Sequence, residues 1–214
     1  MWSYLGDSAN WAGATGIWAR LGEHLRFVGI SMGLSVLLAL PVAIVTGHVG
    51  RFGFLAVNVS NIGRAIPSLA FLALFATILP RGYSSSWPTI LALIALAAPP
   101  LVTNTYVGVR HADPDAVGAA VAIGMSPRQV ALRVEVPLAA PMIIAGLRTA
   151  LTNVIATATL AALVTQGGLG RLIVDGQAQA NRPMQIAGAV LVAVLALIGD
   201  GLLVLVAWRI GRRP

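Results

Sequence analysis

Apolar residues run along this chain in five long blocks separated by short polar breaks. Each block reaches about the 20 residues that a helix needs to cross the hydrocarbon core of a bilayer. The pattern predicts spans over Phe27–Thr46, Phe52–Pro80, Trp87–Val109, Leu138–Val164 and Met184–Trp208. Pro41 falls inside the first and predicts a kink there. The second is uneven: Asn58, Ser60, Asn61 and Arg64 form a polar entrance ahead of the cleaner run from Ile66 to Leu79. Pro99-Pro100 sits at mid-depth in the third. Residues 1–26 precede the spans, and Asp7, Asn10 and Arg20 break their apolar run. No small-residue cleavage site follows a hydrophobic core, so this segment does not read as a secretory signal. Trp2, Trp11 and Trp18 suit an outward segment lying at a membrane–water interface, and a disordered tail stays open as the other reading.

The third and fourth spans are joined by residues 110–137, the longest stretch that is neither a span nor a tight turn. Asp113 is placed as an N-cap, with Pro114 at the first helical position, where its missing N–H does no harm. Gly124 stands where a short helix requires a left-handed C-terminal residue. Ser126-Pro127 repeats the N-cap and N1 proline, starting a second helix that carries Arg128 and Arg133 and is expected to end before Pro137. The prediction is a helix, a glycine turn and a helix between two very hydrophobic blocks.

Composition narrows the class. Hydrophobic residues make up 57% and charged residues 10%, against about 25% charged in an ordinary soluble domain. The chain therefore reads as a polytopic membrane protein with the lipid bilayer as its solvent. The net charge of +7 comes from arginine alone. Without lysine there is no Walker A phosphate loop and no Schiff base, and without cysteine no disulfide or thiolate site. The arginines are dispersed between apolar blocks, so no nucleic-acid partner is expected. Arg51, Arg110, Arg128, Arg133, Arg209, Arg212 and Arg213 fall on one side of the predicted spans, and Arg20, Arg26, Arg81, Arg171 and Arg182 on the other. The positive-inside rule then puts residues 110–137 and the tail at 211–214 in the cytoplasm and the N-terminus outside.

Polar residues within the spans are the candidate chemistry. Arg148 lies ~16 Å above the inner boundary counted from Pro137, and Asp200 ~13 Å above it counted from Arg209, at ~1.5 Å per residue. Unpaired charge in hydrocarbon is costly, so similar depth makes Arg148 and Asp200 a candidate ion pair, with water or a different helix as the other partner open to each. Thr149, Asn153 and Thr157, flanked by Thr152, repeat at helical spacing and form a candidate solute path, with Asn104 and Tyr106 added from the third span; helix packing is the competing use of such a stripe. Gly167-Gly-Leu-Gly170 follows no strand and has the wrong order for a phosphate-binding fingerprint, so it reads as a flexible outward connection. His24, His48 and His111 are isolated, and no metal site is expected. No catalytic triad or acid–base pair is visible, so no enzyme activity is expected of this chain.

The loop nonetheless has a known counterpart. Gly118-Ala119-Ala120, three residues, Gly124, nine residues and Val134-Glu135-Val136-Pro137 match in spacing the cytoplasmic EAA loop of permease subunits of ABC importers. Gly118 replaces the usual glutamate of that motif, Val134 its isoleucine and Val136 its leucine. The segments Arg64-Ala-Ile-Pro-Ser-Leu-Ala70, Asn104-Thr-Tyr-Val-Gly108, Ala145-Gly-Leu-Arg-Thr-Ala150, Thr157-Ala-Thr-Leu-Ala-Ala162 and Gly167-Gly-Leu-Gly170 resemble the subfamily that imports glycine betaine, choline and carnitine. Permeases for methionine and other small solutes share several of these pieces.

The resemblance implies an all-α integral membrane protein with the type I ABC importer permease fold, about five transmembrane helices and a cytoplasmic helix–turn–helix coupling loop. It implies an ATPase-coupling role for Gly118, Ala119, Ala120, Gly124, Ser126, Pro127, Arg128, Val134 and Pro137. It further implies a bacterial inner-membrane location, two cytoplasmic ABC ATPase subunits that hold ATP and Mg, a second permease subunit, identical or related, and an extracytoplasmic solute-binding protein. No cofactor is expected in this chain. Two rivals lie outside that family: an ion-coupled secondary transporter, which would need intramembrane carboxylates, of which Asp200 is the one available, and internal inverted repeats, which the sequence does not display, and a membrane-embedded enzyme, which would need a convergent polar constellation.

Overall fold

The structure is a computed structural model that describes residues 1–51, 58, 67–79, 85–164 and 167–211. The predicted polar entrance at Ser60, Asn61 and Arg64, the turn around Arg81 and the arginines at 212 and 213 lie outside the described residues.

Every regular element described is helical. A short helix α1 (Trp2–Leu5) and a 3₁₀ turn (Ser8–Asn10) precede the long helix α2 (Ile17–Val49). Then come α3 (Ser68–Ile78), α4 (Trp87–Arg110), α5 (Pro114–Ala122) and α6 (Pro127–Val130). A π-helical segment (Ala131–Glu135) joins α6 to α7 (Val136–Leu160), and α8 (Gly170–Ala178) and α9 (Arg182–Gly211) complete the order. Among the described residues four helical stretches are long and apolar enough to cross a membrane: Ile17–Val49, Trp87–Arg110, Pro127–Leu163 and Arg182–Arg209. The described part of the second predicted span is the shorter apolar helix α3.

Helix α4 is the hub. It packs along α2 on one side and α7 on another, and α3 leans on it as well. The main core joins Phe27, Val28 and Ala39 of α2 to Leu93, Ala97 and Leu101 of α4 and to Ala150, Val154, Ile155 and Ala158 of α7. Many of these are alanines. Lipid tails are as apolar as leucine, so helices in a bilayer gain by close van der Waals approach rather than by escape from water, and small residues permit that approach. Gly146 of α7 is the clearest case. A Cβ built there would lie 2.9 Å from the Asn104 Cβ and 3.0 Å from the Pro100 carbonyl oxygen. One turn and a half away, Gly108 of α4 faces Met142 and Ala139 of α7 just as closely.

Three expectations change. First, residues 1–26 are not a disordered tail. The amide of Asn10 donates to the Tyr4 carbonyl at 2.9 Å and the Trp11 indole N–H to the Leu5 carbonyl at 2.8 Å. Tyr4, Leu5 and Trp11 then pack over Ile17, Leu169 and Leu172, giving a folded cap on α8 and α9. The first long helix starts at Ile17, inside the stretch assigned to this segment.

Second, residues 167–182 are not a loose connection. Gly168, at φ +80°, donates its N–H to Glu23 Oε2 at 2.8 Å, and Glu23 also accepts from Arg20 at 3.0 Å. His24 is fully buried beside Gly168, and Gly170–Ala178 is helical.

Third, the second helix of the 110–137 region does not stop before Pro137. It runs unbroken from Pro127 to Leu163. A proline in a regular α-helix removes one hydrogen bond and clashes with the carbonyl four residues back. Here the π segment lies immediately before it, and Val136 N–H bonds the Ala131 carbonyl five residues back. The helix thus adopts a wider register just ahead of the proline and continues through it.

The crossing makes a prediction. Gly146→Val should lower stability by about 1–3 kcal/mol through overpacking, read as an earlier thermal unfolding midpoint of the detergent-purified protein. Gly118→Ala, where a Cβ meets nothing within 4 Å, should leave the midpoint unchanged or slightly raised. Equal midpoints for both variants would rule out the close crossing.

Candidate functional site

Two polar constellations stand out, one at the helix–turn–helix and one on the α7–α9 surface. The helix–turn–helix begins with Asp113, whose carboxylate accepts from the Asp115 N–H at 2.9 Å, and with Pro114 at N1. Gly124, at φ +85°, ends α5. The Gly124 N–H bonds Val121 O at 3.0 Å and the Met125 N–H bonds Ala120 O at 3.1 Å. This paired closure is a Schellman motif, which a residue without a Cβ satisfies without strain. Ser126 restarts the chain through a capping box: its hydroxyl accepts from Gln129 N–H at 3.4 Å, and Gln129 Oε1 accepts from Ser126 N–H at 2.8 Å. Sequence reading found the cap at Ser126 and missed its reciprocal partner, although Ser-x-x-Gln was there to be read.

Around this turn the surface is apolar and open. Val121 is 60% and Ile123 80% exposed, and Gly118, Ala119, Ala122 and Gly124 are exposed beside them. Ala120 differs: it is buried against its own chain, so only Ala119 of the small pair is free to meet another surface. Pro127 and Arg128 are exposed, while Val134 is half-buried in the π segment. Pro137 is exposed, within the continuous helix rather than at a loop end. A contact absent from the sequence reading ties this region to the rest. His48, in the last turn of α2, meets Glu135 Oε2 through Nδ1 at 2.7 Å, and Glu135 is buried. The spacing of 87 residues left no local signal for it.

The second constellation lies along α7. Arg148 Nε donates to Asp200 Oδ1 at 2.7 Å and its Nη2 to Asp200 Oδ2 at 2.9 Å, a fork that joins α7 to α9. Bidentate charge-assisted bonds of this kind are short and directional. The side chains keep 41% and 35% of their surface exposed. They open onto a groove of about 430 Å³ lined by Ala145, Arg148, Thr149, Thr152, Asn153 and Asp200. The Thr149 hydroxyl donates to the Ala145 carbonyl at 3.1 Å and the Thr152 hydroxyl to the Arg148 carbonyl at 3.0 Å.

The predicted path residues therefore divide. Thr149 and Asn153 line the groove, and Thr157 lies partly buried further along α7, away from its lining. Asn104 faces the α4–α7 crossing, where its amide donates to the Pro100 carbonyl at 2.8 Å. Tyr106 is partly buried on α4, and its carbonyl lies against Gly47 of α2. Asn104 and Tyr106 thus lie outside the lining of the groove.

Comparison with known proteins gives a consistent result. Residues 35–212 match the family model described as binding-protein-dependent transport system inner membrane component. The chain is 36% identical over 178 residues to the choline transport system permease protein OpuBB of Bacillus subtilis, covering 83% of this chain and 81% of that protein. It is 36% identical over 196 residues to the osmoprotectant import permease protein OsmY of Salmonella typhimurium, covering 90% and 80%. Among solved structures it superposes on a chain of the MetNI methionine ABC transporter in an inward-facing form with a TM-score of 0.78, at 20% identity, covering 91% of this chain and 95% of the other.

The α7–α9 fork makes its own prediction. Asp200→Ala alone should lower the yield of folded protein several-fold, because it leaves a guanidinium without its counter-charge at membrane depth. Adding Arg148→Ala should recover part of that yield. Fluorescence-detected size exclusion of the single and double variants measures it, and strictly additive losses would show that the two residues act independently.

Proposed function

This chain belongs to the binding-protein-dependent transport system inner membrane components, and we propose that the solute it carries is a small quaternary-ammonium osmoprotectant. Members of the family are membrane-spanning transport subunits that work with ATPase and solute-binding partners, and the chain is such a permease rather than an enzyme. The choice of solute is supported by the relatives, whose names specify choline, carnitine, glycine betaine and osmoprotectant import. The likeness to the methionine transporter, at 20% identity, is a likeness of fold and does not favour methionine.

The observation that carries the mechanism is the unbroken helix from Pro127 to Leu163. The exposed turn around Gly124 is the docking element for a cytoplasmic ATPase. Because α6, the π segment and α7 form one rod, displacement of the turn moves α7 and with it the groove. His48–Glu135 couples the same rod to α2. Two ATPase subunits, holding ATP and Mg, close and open beneath two permease subunits, identical or related, and an external binding protein delivers the solute. Arginine placement supports an inner-membrane topology with the helix–turn–helix and C-terminus inside and the folded N-terminal cap outside. The ion-coupled alternative is weakened by the pairing of Asp200 with Arg148, which ties up the carboxylate that such coupling would use.

The test is affinity purification from native membranes. The wild type should carry an ATPase identifiable by mass spectrometry. Gly124→Asp and Ile123→Asp should each lose it by about fivefold or more, because a charge buried at an apolar interface is expensive. Ile123→Asp leaves the left-handed backbone position untouched, so it separates docking from turn geometry. Titration of the co-encoded binding protein with glycine betaine, choline, carnitine and methionine then identifies the solute. Absence of any ATPase from intact wild-type complexes would overturn the assignment of the turn.

A further inference from the structure

The Arg148–Asp200 fork has features that a simple clip between two helices does not need. The fork engages only the Nε and Nη2 side of the guanidinium. Arginine carries five N–H donors in a plane, so the edge formed by Nη1 and the second hydrogen of Nη2 is left without a partner among the described residues. Beside it, the Asp200 carboxylate retains lone pairs that the fork does not use. Both groups are partly exposed, and both open onto the same groove of about 430 Å³, a size within the roughly 300–1,000 Å³ range of small-molecule sites. The threonine hydroxyls of the groove are already turned back onto carbonyls of their own helix. The Asn153 side chain, exposed and lining the groove, adds a neutral donor and acceptor.

The groove therefore presents one positive edge and one negative group a few ångströms apart, with net charge zero, about halfway across an apolar bundle. A ligand with the same property fits it best. A net charge added at this depth would have to be compensated, whereas a zwitterion enters and leaves without changing the charge of the site. From this juxtaposition we propose that Arg148, Asp200 and Asn153 form a mid-membrane binding site for zwitterionic solutes that carry a carboxylate and a methylated ammonium group. The solute carboxylate takes the free guanidinium edge of Arg148, in the bidentate geometry Asp200 already adopts on the other edge. The ammonium group lies against the Asp200 carboxylate. The site discriminates against quaternary ammonium solutes that have no carboxylate, and the proposal rests on the permease reading above.

The test uses the purified permease–ATPase complex in nanodiscs, without binding protein, and equilibrium binding of radiolabelled glycine betaine and choline. Glycine betaine should bind the wild type at least about tenfold more tightly than choline, the scale of one well-made charged contact. Arg148→Lys, which keeps the charge and loses the planar fork, should weaken glycine betaine binding about tenfold and change choline binding little. The double variant Arg148→Met with Asp200→Leu removes both charges. It should assemble with the ATPase, because no unpaired charge remains, yet bind no glycine betaine. Equal affinity for the two solutes in the wild type would overturn the proposal without recourse to any variant. So would wild-type binding of glycine betaine by either variant. Import into proteoliposomes with the binding protein present separates the two levels. Glycine betaine import that persists in the double variant removes the site and leaves the permease reading intact. Absence of import of every osmoprotectant by the wild type removes the permease reading itself.

Discussion

Close approach of helix backbones in a medium without a hydrophobic effect is the constraint on which this architecture depends. In lipid, an apolar side chain gains nothing by leaving its surroundings for a helix interface. Attraction must come from dense packing and from satisfied polar groups. Gly146 and Gly108 let α4 and α7 meet at distances that a Cβ would forbid, and alanines from all three helices stand in the core they share with α2. A buried hydrogen bond from Ser31 to the Ile90 carbonyl adds a polar tie between α2 and α4. With α4 held in this way, α3, α2 and α7 are arranged around it, and α9 is positioned by α7 and α8.

That packing gives mechanical meaning to the π segment. A 37-residue helical stretch that includes Pro137 and Pro141 would ordinarily break. The five-residue hydrogen-bond register at Ala131–Glu135 absorbs the first proline and keeps the rod continuous. The Schellman turn at Gly124 lies at one end of this rod and the Arg148–Asp200 fork near its middle. The turn and the groove are therefore joined by continuous helix backbone, and Glu135 ties the same stretch to the end of α2.

At the opposite end the chain is held by different means. The folded cap of residues 1–16 and the clasp of Glu23 on the Gly168 N–H both act on α8 and the start of α9. Glu23 is shared between Arg20 and a backbone donor, so a loop that is rich in glycine is fixed by a carboxylate from a distant part of the sequence. The bundle is thus tied at one end by His48–Glu135, near its middle by Arg148–Asp200 and at the other end by Glu23–Gly168. Each tie joins segments far apart in sequence.

Local physical chemistry is what the sequence by itself determined. Runs of apolar residues settle the membrane class, because a helix needs a certain length to cross hydrocarbon. Asp113-Pro114, Gly124 and Ser126-Pro127 specify the helix–turn–helix, because caps and left-handed turns are decided by neighbouring residues. The Arg148–Asp200 pairing was also within reach, since depth along two helices can be counted from their ends. The remaining features depend on which helices lie side by side. The clasp of Glu23 on Gly168, the His48–Glu135 contact and the separation of Asn104 and Tyr106 from the groove could not be counted along one helix. Continuity through Pro137 was hidden for a related reason: a proline reads as a stop unless the preceding turn widens, and here that widening accompanies the burial of Glu135 against His48 of α2. Helix rotation and helix adjacency are set by packing across the whole bundle, and only the tertiary structure decided them.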